Sequence, residues 1–469
     1  MGTSIVSVLA VAALGSWLLL TSHAATSSIV SEAESGVLGG AAQVVSDTGA
    51  SDGAAVQFRQ AYYVSSGGND SNNGSVGSPW KTIQKAVDTA PAQATIIVSA
   101  GTYAHFSVTR PNLAITAASG ANVIVTGAAG VRDVVLIAAN NVSVSNLTVS
   151  GCVPSATPAT GFETSGSSQV RISDNTSGVS LDHLSIHDSH GINSDGLPFG
   201  CYGIAVENAS NATIANSEIY HNGYGIFVYG GGSGDIFQNN SIHDNDVIIV
   251  NTLATDDDYG GVGIGFTKVT AANPGPIVQN NTMYYDVGSS NDYGTDGGAT
   301  EVYDASNVTF DHNTMHDNDN VFESGSGSTG TCNNNKFTNN TATGKTAGST
   351  LKQSQGMLLR CASHMLIDSN SFTGISSSGM WITTGGSFSS SINGLTITHN
   401  TFDQTPAVAG ATSENTYSLA VNPSGLGLVI DHNQYRYQKN FAKNWDGTTD
   451  ASLAAWQAKT GFDANSVTY

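Results

Sequence analysis

The chain is 469 residues long; only 11% of them are charged, 39% are hydrophobic and 54 are glycine. That composition supplies a long apolar core and excludes a disordered, charge-swollen chain. Lys and Arg number 15 against 36 Asp and Glu, a formal net charge of -21, so the surface field repels polyanions and excludes nucleic acid as a natural partner.

In chain order, residues 5–20 (IVSVLAVAALGSWLLL) form an apolar run followed by small residues at 21–25. Residues 1–25 therefore read as a signal peptide, without the usual basic residue ahead of the run. This implies a secreted, extracellular protein with no stable membrane insertion after cleavage. Residues 26–61 contain EAESGVLGGAAQVV and GAAVQF, which resemble the first strands of a carbohydrate-binding β-sandwich but are too short to form one. A linker or a remnant of such a module is expected there.

From residue 142 one phrase recurs ten times: an apolar pair, a polar Asn or His corner, then an apolar residue. Its closing residues are Val149, Ile186, Ile219, Ile242, Met283, Met315, Phe337, Phe372, Phe402 and Tyr435. The phrases alternate with period two, which excludes a helical solenoid. Their shortest steps, near 22 residues, fit a coil of three strands and three turns, and longer steps put the excess into loops that leave the stack undisturbed. The expected fold is all-β, a single-stranded parallel β-helix solenoid of about 10–12 coils over residues 62–440, acting as a monomer. The corner Asn residues read as a hydrogen-bonded ladder. The turns at His187-Asp188, Tyr220-His221, His243-Asp244 and His316-Asp317 read likewise as structural rather than as metal sites or bases. Residues 441–469 are a C-terminal cap, with Asp450 as N-cap of a short helix through Trp456. Cys152, Cys201, Cys332 and Cys361 carry no CxxC pair and suit disulfides; three connectivities are open, the local one being 152/201 and 332/361.

On one strand of each coil the outward side chains form a ribbon on which a polymer can lie. Alternation sends Ile204, Val206, Val302, Phe322, Met357 and Leu359 inward. Outward fall Glu207, Phe227, Tyr229, Glu301, Tyr303, Glu323 and Arg360. Glu301 and Glu323 each stand fourteen residues ahead of a marker, Met315 and Phe337, which places them side by side on adjacent coils. Two carboxylates so placed can divide into a proton donor and a nucleophile. Insertions after His243 and Tyr285 are expected to wall the ribbon with Asp256, Asp257, Asp258, Tyr259, Asp292, Tyr293 and Asp296. The alternative chemistry is a uronate lyase, with Ca²⁺ held by Asp256, Asp257, Asp258 and Asp292 and Lys268, Lys352 or Arg360 as base. A hydrolase needs no cofactor. A third possibility is a non-catalytic glycan-binding or adhesin-like protein.

Residues 62–103, YYVSSGGNDSNNGSVGSPWKTIQKAVDTAPAQATIIVSAGTY, resemble the amino-terminal cap and first coil of the secreted pectin-lyase-like superfamily of right-handed parallel β-helices. The resemblance, which extends over 62–469, implies a helix from the Pro79–Ala86 stretch plugging the core, and a protein acting on polysaccharide or oligosaccharide. It leaves the reaction open, because the superfamily holds lyases, hydrolases, esterases and adhesins. Residues 296–325 (DGGATEVYDASNVTFDHNTMHDNDNVFESG) also resemble the catalytic region of retaining β-helix glycosidases active on xylo-oligosaccharides. That resemblance implies Glu323 as acid/base and Glu301 or Asp304 as nucleophile; the tryptophan-flanked Asp of those enzymes has no counterpart here. Asp296, Tyr303, Tyr229, Glu207, Arg360 and Tyr259 are the candidate substrate-binding residues.

Overall fold

The computed structural model describes residues 42–46, 54–154, 166–189, 201–247, 261–270, 274–290, 294–327, 330, 332–346, 354–384, 392–404, 417–422, 427–437 and 440–469. The expected signal peptide lies outside them. The chain divides into two units, Met1–Arg59 and Gln60–Tyr469. In the first, Ala42–Ser46 pairs antiparallel with Ala54–Phe58, Val44 opposite Val56.

The second unit is a right-handed parallel β-helix with three sheets. One coil shows the path: Thr309–Asp311 lies in the first sheet, Thr314–His316 in the second and Asn320–Gly325 in the third, after which Lys336–Thr338 re-enters the first. Thirteen strands follow one another along each sheet, the last of the third sheet turning back antiparallel. Most of the three-residue strands of the first two sheets, these two among them, bury only their middle side chain. Alternation turns that residue inward, and coil after coil these residues stack. Ile186, Ile219, Ile242, Met283 and Met315 are in register, each fully buried. Phe310, Phe337, Phe372, Phe402 and Tyr435 continue as a chain of rings with successive centroids 5.0 to 6.3 Å apart. Burying each such side chain stabilises the fold by about 1.5–3 kcal/mol.

The corner between the first and second sheets is a buried amide ladder. Asn240, Asn281, Asn313, Asn340, Asn370, Asn400 and Asn433 each present an Oδ1 to the backbone N–H of the residue one coil before. Their Nδ2 groups donate onward to the next amide or to a backbone carbonyl, as Asn313 does to Val278 O and Asn340 Oδ1. The residue just before each ladder position is left-handed: Asn239, Asn280, His312, Asn339, Ser369, His399 and His432 all have φ between 54° and 60°. Asn and His tolerate that conformation better than most residues. This accounts for the repeated polar pair at the corner.

Two sequence expectations change. Phe337 is not in the column of Met315; it pairs with Phe310 and Ile367 in the first sheet, and Ala342 takes the place beside Met315. Two Asn-rich corners follow each other here, so Asn335 sits at the corner before the first sheet and Asn340 at the ladder. The C-terminal helix Leu453–Thr460 is capped by Ser452, whose side chain accepts from Ala455 N. Asp450 lies instead in the short antiparallel strand. The amino-terminal helix, Ile83–Thr89, buries Ile83, Ala86 and Val87 and is capped by Thr82, itself held by the Asp70 carboxylate. Disulfides join Cys152 to Cys201 and Cys332 to Cys361, the latter pair with Cα atoms 5.6 Å apart.

Candidate active site

The outer face of the third sheet carries one row in continuous register: Arg171, Ala205, Phe227, Gly265, Glu301, Glu323, Leu358, Trp381 and Ala420. Glu301 and Glu323 are direct partners on adjacent strands, as their spacing implies. The second marker behind that spacing was the misplaced Phe337; Glu323 reaches the same register because a loop after Gly325 lengthens its coil. The inward set, Ile204, Val206, Val302, Phe322, Met357 and Leu359, is fully buried.

Each glutamate accepts from a tyrosine. The Tyr224 hydroxyl donates to Glu301 Oε2 at 2.6 Å, reaching across the whole intervening strand Gly261–Thr267. It can do so because Gly265 lies beneath the ring: a Cβ there would stand 2.7 Å from Tyr224 Cε1. The Tyr303 hydroxyl donates to Glu323 Oε1 at 2.6 Å, and its ring lies so close to Gly325 that a Cβ there would stand 2.4 Å from Cε1. Burial, and then the charge of the glutamate each one meets, push both tyrosine hydroxyls well above their ordinary range. Both therefore stay protonated donors. Glu323 also accepts from Asn320 Nδ2 at 3.2 Å and faces Arg360, whose guanidinium is 3.2 Å from Oε1. Three donors, one of them a cation, thus converge on the Glu323 carboxyl group.

The other expected site residues divide. Asp304 is 2% exposed, and its carboxylate accepts from Ser326 Oγ, Gly327 N and Gly330 N. These bonds hold the loop after Gly325. Glu207 is buried against Arg171 and Arg132. Desolvation raises its pKa against the opposing pull of the two guanidiniums, and Arg171 is tied in turn to Asp133 at 2.8 Å. Glu207 is thus part of a buried ion cluster rather than a substrate contact. Tyr229 lies under Lys268, whose Nζ is 5.2 Å above the ring. Asp296 stands in a hairpin, opposite Gly288, that extends the strand Gly294–Tyr303. The second insertion is therefore partly strand, and the end of the first is the strand Gly261–Thr267. Asp256, Asp257, Asp258, Tyr259, Asp292, Tyr293 and Lys352 lie outside the described residues. Among the described residues no three His, Cys, Asp or Glu side chains are grouped to hold a metal.

Sequence reasoning passed over Tyr224, Gly265, Asn320, Gly325 and Trp381. The repeated Tyr-Gly-Ile at 202–204 and 224–226 was the available sign. Gly203 and Gly225 stand where a Cβ would meet the next coil's carbonyl, at 2.6 and 2.4 Å. The tyrosines ahead of them pack on the outer face with Ala205, Phe227 and Val262, a cluster apart from the core.

Fold and site together define a right-handed parallel β-helix bearing a tyrosine-buttressed carboxylate pair on one sheet. The comparisons agree on the fold. A family model described as the right handed beta helix region matches residues 174–353, and no curated protein matches the chain. Among solved structures, the complex of XylC with xylose is 12% identical with a TM-score of 0.51, covering 87% of this chain and 86% of that one. The lacto-N-biosidase of Eubacterium ramulus is 14% identical with a TM-score of 0.50, covering 82% and 68%. Pectate lyase Pel9A is 14% identical with a TM-score of 0.47, covering 75% and 82%. At these identities the likeness is one of fold.

Proposed function

We propose that this chain is a glycoside hydrolase acting on a neutral glycan, with Glu301 and Glu323 as its two carboxyl groups. The observation that carries the proposal is their direct pairing across adjacent strands, each accepting a hydrogen bond from a tyrosine hydroxyl. Structural glutamates on a solvated face would not need two aromatic residues folded over glycines to aim them. The net charge of -21 favours an uncharged substrate.

The surroundings also divide the roles. Arg360, Asn320 and Tyr303 converge on Glu323 as three donors, a setting that suits a nucleophilic carboxylate, with Glu301 on the next strand as its proton-donating partner. Glu323 is then the nucleophile and Glu301 the acid/base, the reverse of the assignment implied by the resemblance to xylo-oligosaccharide glycosidases. Neighbouring strands about 4.8 Å apart favour the short carboxyl separation used for retention, in which one carboxylate forms a glycosyl-enzyme and the other protonates the departing oxygen. Glu301→Gln should lose the natural glycan but keep substrates with acidic leaving groups, which depart without a proton; Glu323→Gln should lose both. The opposite pattern would restore the first assignment. Wild-type turnover in both variants would remove the site altogether.

One observation favours a lyase: Arg360 is partly exposed beside the carboxylates and could meet a uronate. A Ca²⁺-dependent rise in absorbance from an unsaturated product would establish that reading instead.

A further inference from the structure

Among the described residues, the outer-face row differs on the two sides of the carboxylates. Toward the amino-terminal coils, the residues of the outer face are packed on one another. Phe227 is 2% exposed, Tyr202 5% and Tyr224 8%, with the Tyr202 and Phe227 rings stacked at 4.8 Å and Tyr224 laid across Gly265 to reach Glu301. The side chains that could carry a sugar there are spent on each other. Beyond them Arg171, 1% exposed, is locked by Asp133 and Glu207. Toward the carboxy-terminal coils the same row runs Glu323, Leu358, Trp381. Leu358 is 6% exposed, but Trp381 is 38% exposed, a large indole on the outer face two strands from Glu323. Its strand-mates Met380 and Ile382 point into the core at 0% exposure, so the backbone beneath the indole is fixed. A polar flank stands beside it: Asn422 Nδ2 donates to Thr383 Oγ1 at 3.3 Å.

Resting on the glycosidase reading, we infer that Trp381 is the stacking platform of a sugar-binding subsite. The glycan lies from Trp381 to the carboxylates and stops there, so the enzyme trims the end of a neutral chain. Stacked coils rise by about 4.8 Å per strand, close to the advance of one pyranose in an extended chain. A sugar on the indole is therefore two residues from the bond that Glu301 and Glu323 attack. The C–H face of a pyranose suits an aromatic ring, with hydroxyls left for the flanking polar groups. On the other side of the scissile bond, Tyr224 leaves room for only a short product.

The test uses the full chain with xylohexaose, cellohexaose and laminarihexaose, and the matching 4-nitrophenyl monoglycosides. On whichever hexasaccharide is cleaved, the first products should be one short sugar and the chain shortened by it; an early mixture of all lengths would refute end trimming. Trp381→Ala should raise KM for the hexasaccharide tenfold or more, with kcat changed less than threefold and a loss on the monoglycoside at least fivefold smaller. Trp381→Phe should recover most of the affinity. An unchanged KM in Trp381→Ala overturns the subsite. The same hexasaccharides titrated into Glu301→Gln, followed by tryptophan fluorescence, separate the two ideas. A response lost with Trp381 supports the subsite even if the catalytic reading fails, and a response independent of Trp381 overturns the subsite even if the glutamates prove essential.

Discussion

Gly265 is the residue on which the arrangement of the carboxylate pair turns. Its missing side chain lets Tyr224 cross a strand to Glu301; a methyl group at 2.7 Å from the ring has to move the tyrosine. Leaving a buried polar group without its hydrogen bond costs about 1–3 kcal/mol, so Gly265→Ala should lower kcat by roughly tenfold to a hundredfold, with thermal unfolding little changed. An unaltered kcat would make the Tyr224 contact incidental. A second residue-scale prediction concerns Asp235, fully buried at the corner before the first sheet, where its Oδ1 accepts from Ala212 N. Burial pushes its carboxyl up to about 7 from 3.8. The native state therefore holds this proton more tightly than the unfolded chain, and stability falls as pH rises from about 4 to 7. Asn335 occupies the equivalent corner and serves Val308 N while donating to Ala305 O. Asp235→Asn should accordingly leave the melting temperature unchanged near pH 4 and raise it above pH 7, by up to about 2–4 kcal/mol of stability. A gain at low pH, or none at high pH, would contradict this.

At the scale of elements, the corner ladder made the fold legible. From Asn239 onward the polar pair before the closing apolar residue is a left-handed residue followed by a buried Asn, where the earlier coils have Leu147, Leu184 and Ser217 in the second place, and both requirements restrict the choice of side chain enough to show in sequence. Where they were met twice in succession, around Asn335 and Asn340, the phrase was assigned to the wrong sheet and Phe337 with it. A ladder Asn and an Asn at another corner look alike until the coil is closed. The acceptor side of the ladder gives a direct test. Asn313 takes hydrogen bonds from Asn281 N and Nδ2 and gives them to Val278 O and Asn340 Oδ1. Asn313→Ala strands several buried polar groups and should destabilise by about 3 kcal/mol or more. Asn339→Ala, at the exposed left-handed position beside the ladder, should cost about 1–2 kcal/mol through backbone strain together with the loss of its exposed hydrogen bond to Asp311 Oδ1. Equal losses in urea unfolding would mean the ladder contributes no more than its geometry.

At the scale of the whole molecule, a solenoid was readable from its period, but a site drawn from several coils was only half readable. Glu301 and Glu323 could be placed side by side by counting, although the count to Phe337 ended in a different sheet from the count to Met315 and the longer loop after Gly325 made up the difference. Tyr224 could not, since its contact with Glu301 skips a coil and depends on a glycine between them. Trp381 needed the exposure of a whole row. The same one-dimensional architecture governs stability, since each coil packs mainly on its neighbours and the ends need covering. Trp456 is that cover at the carboxy-terminal end: it is fully buried, with its ring 6.1 Å from Phe441 and its Nε1 donating to Asp463 at 2.9 Å. Removing a buried tryptophan costs about 3–5 kcal/mol, but here the loss falls on the last coils. In Trp456→Ala, hydrogen exchange should speed up first in the strands Tyr417–Val421 and Gln434–Arg436. The strands carrying Glu301 and Glu323 should keep their protection, and turnover at 25 °C should remain within about twofold of wild type. A uniform loss of protection along the chain would show that the coils unfold as one cooperative block, and that the disulfides and amide ladder couple the ends to the site more tightly than nearest-neighbour stacking allows.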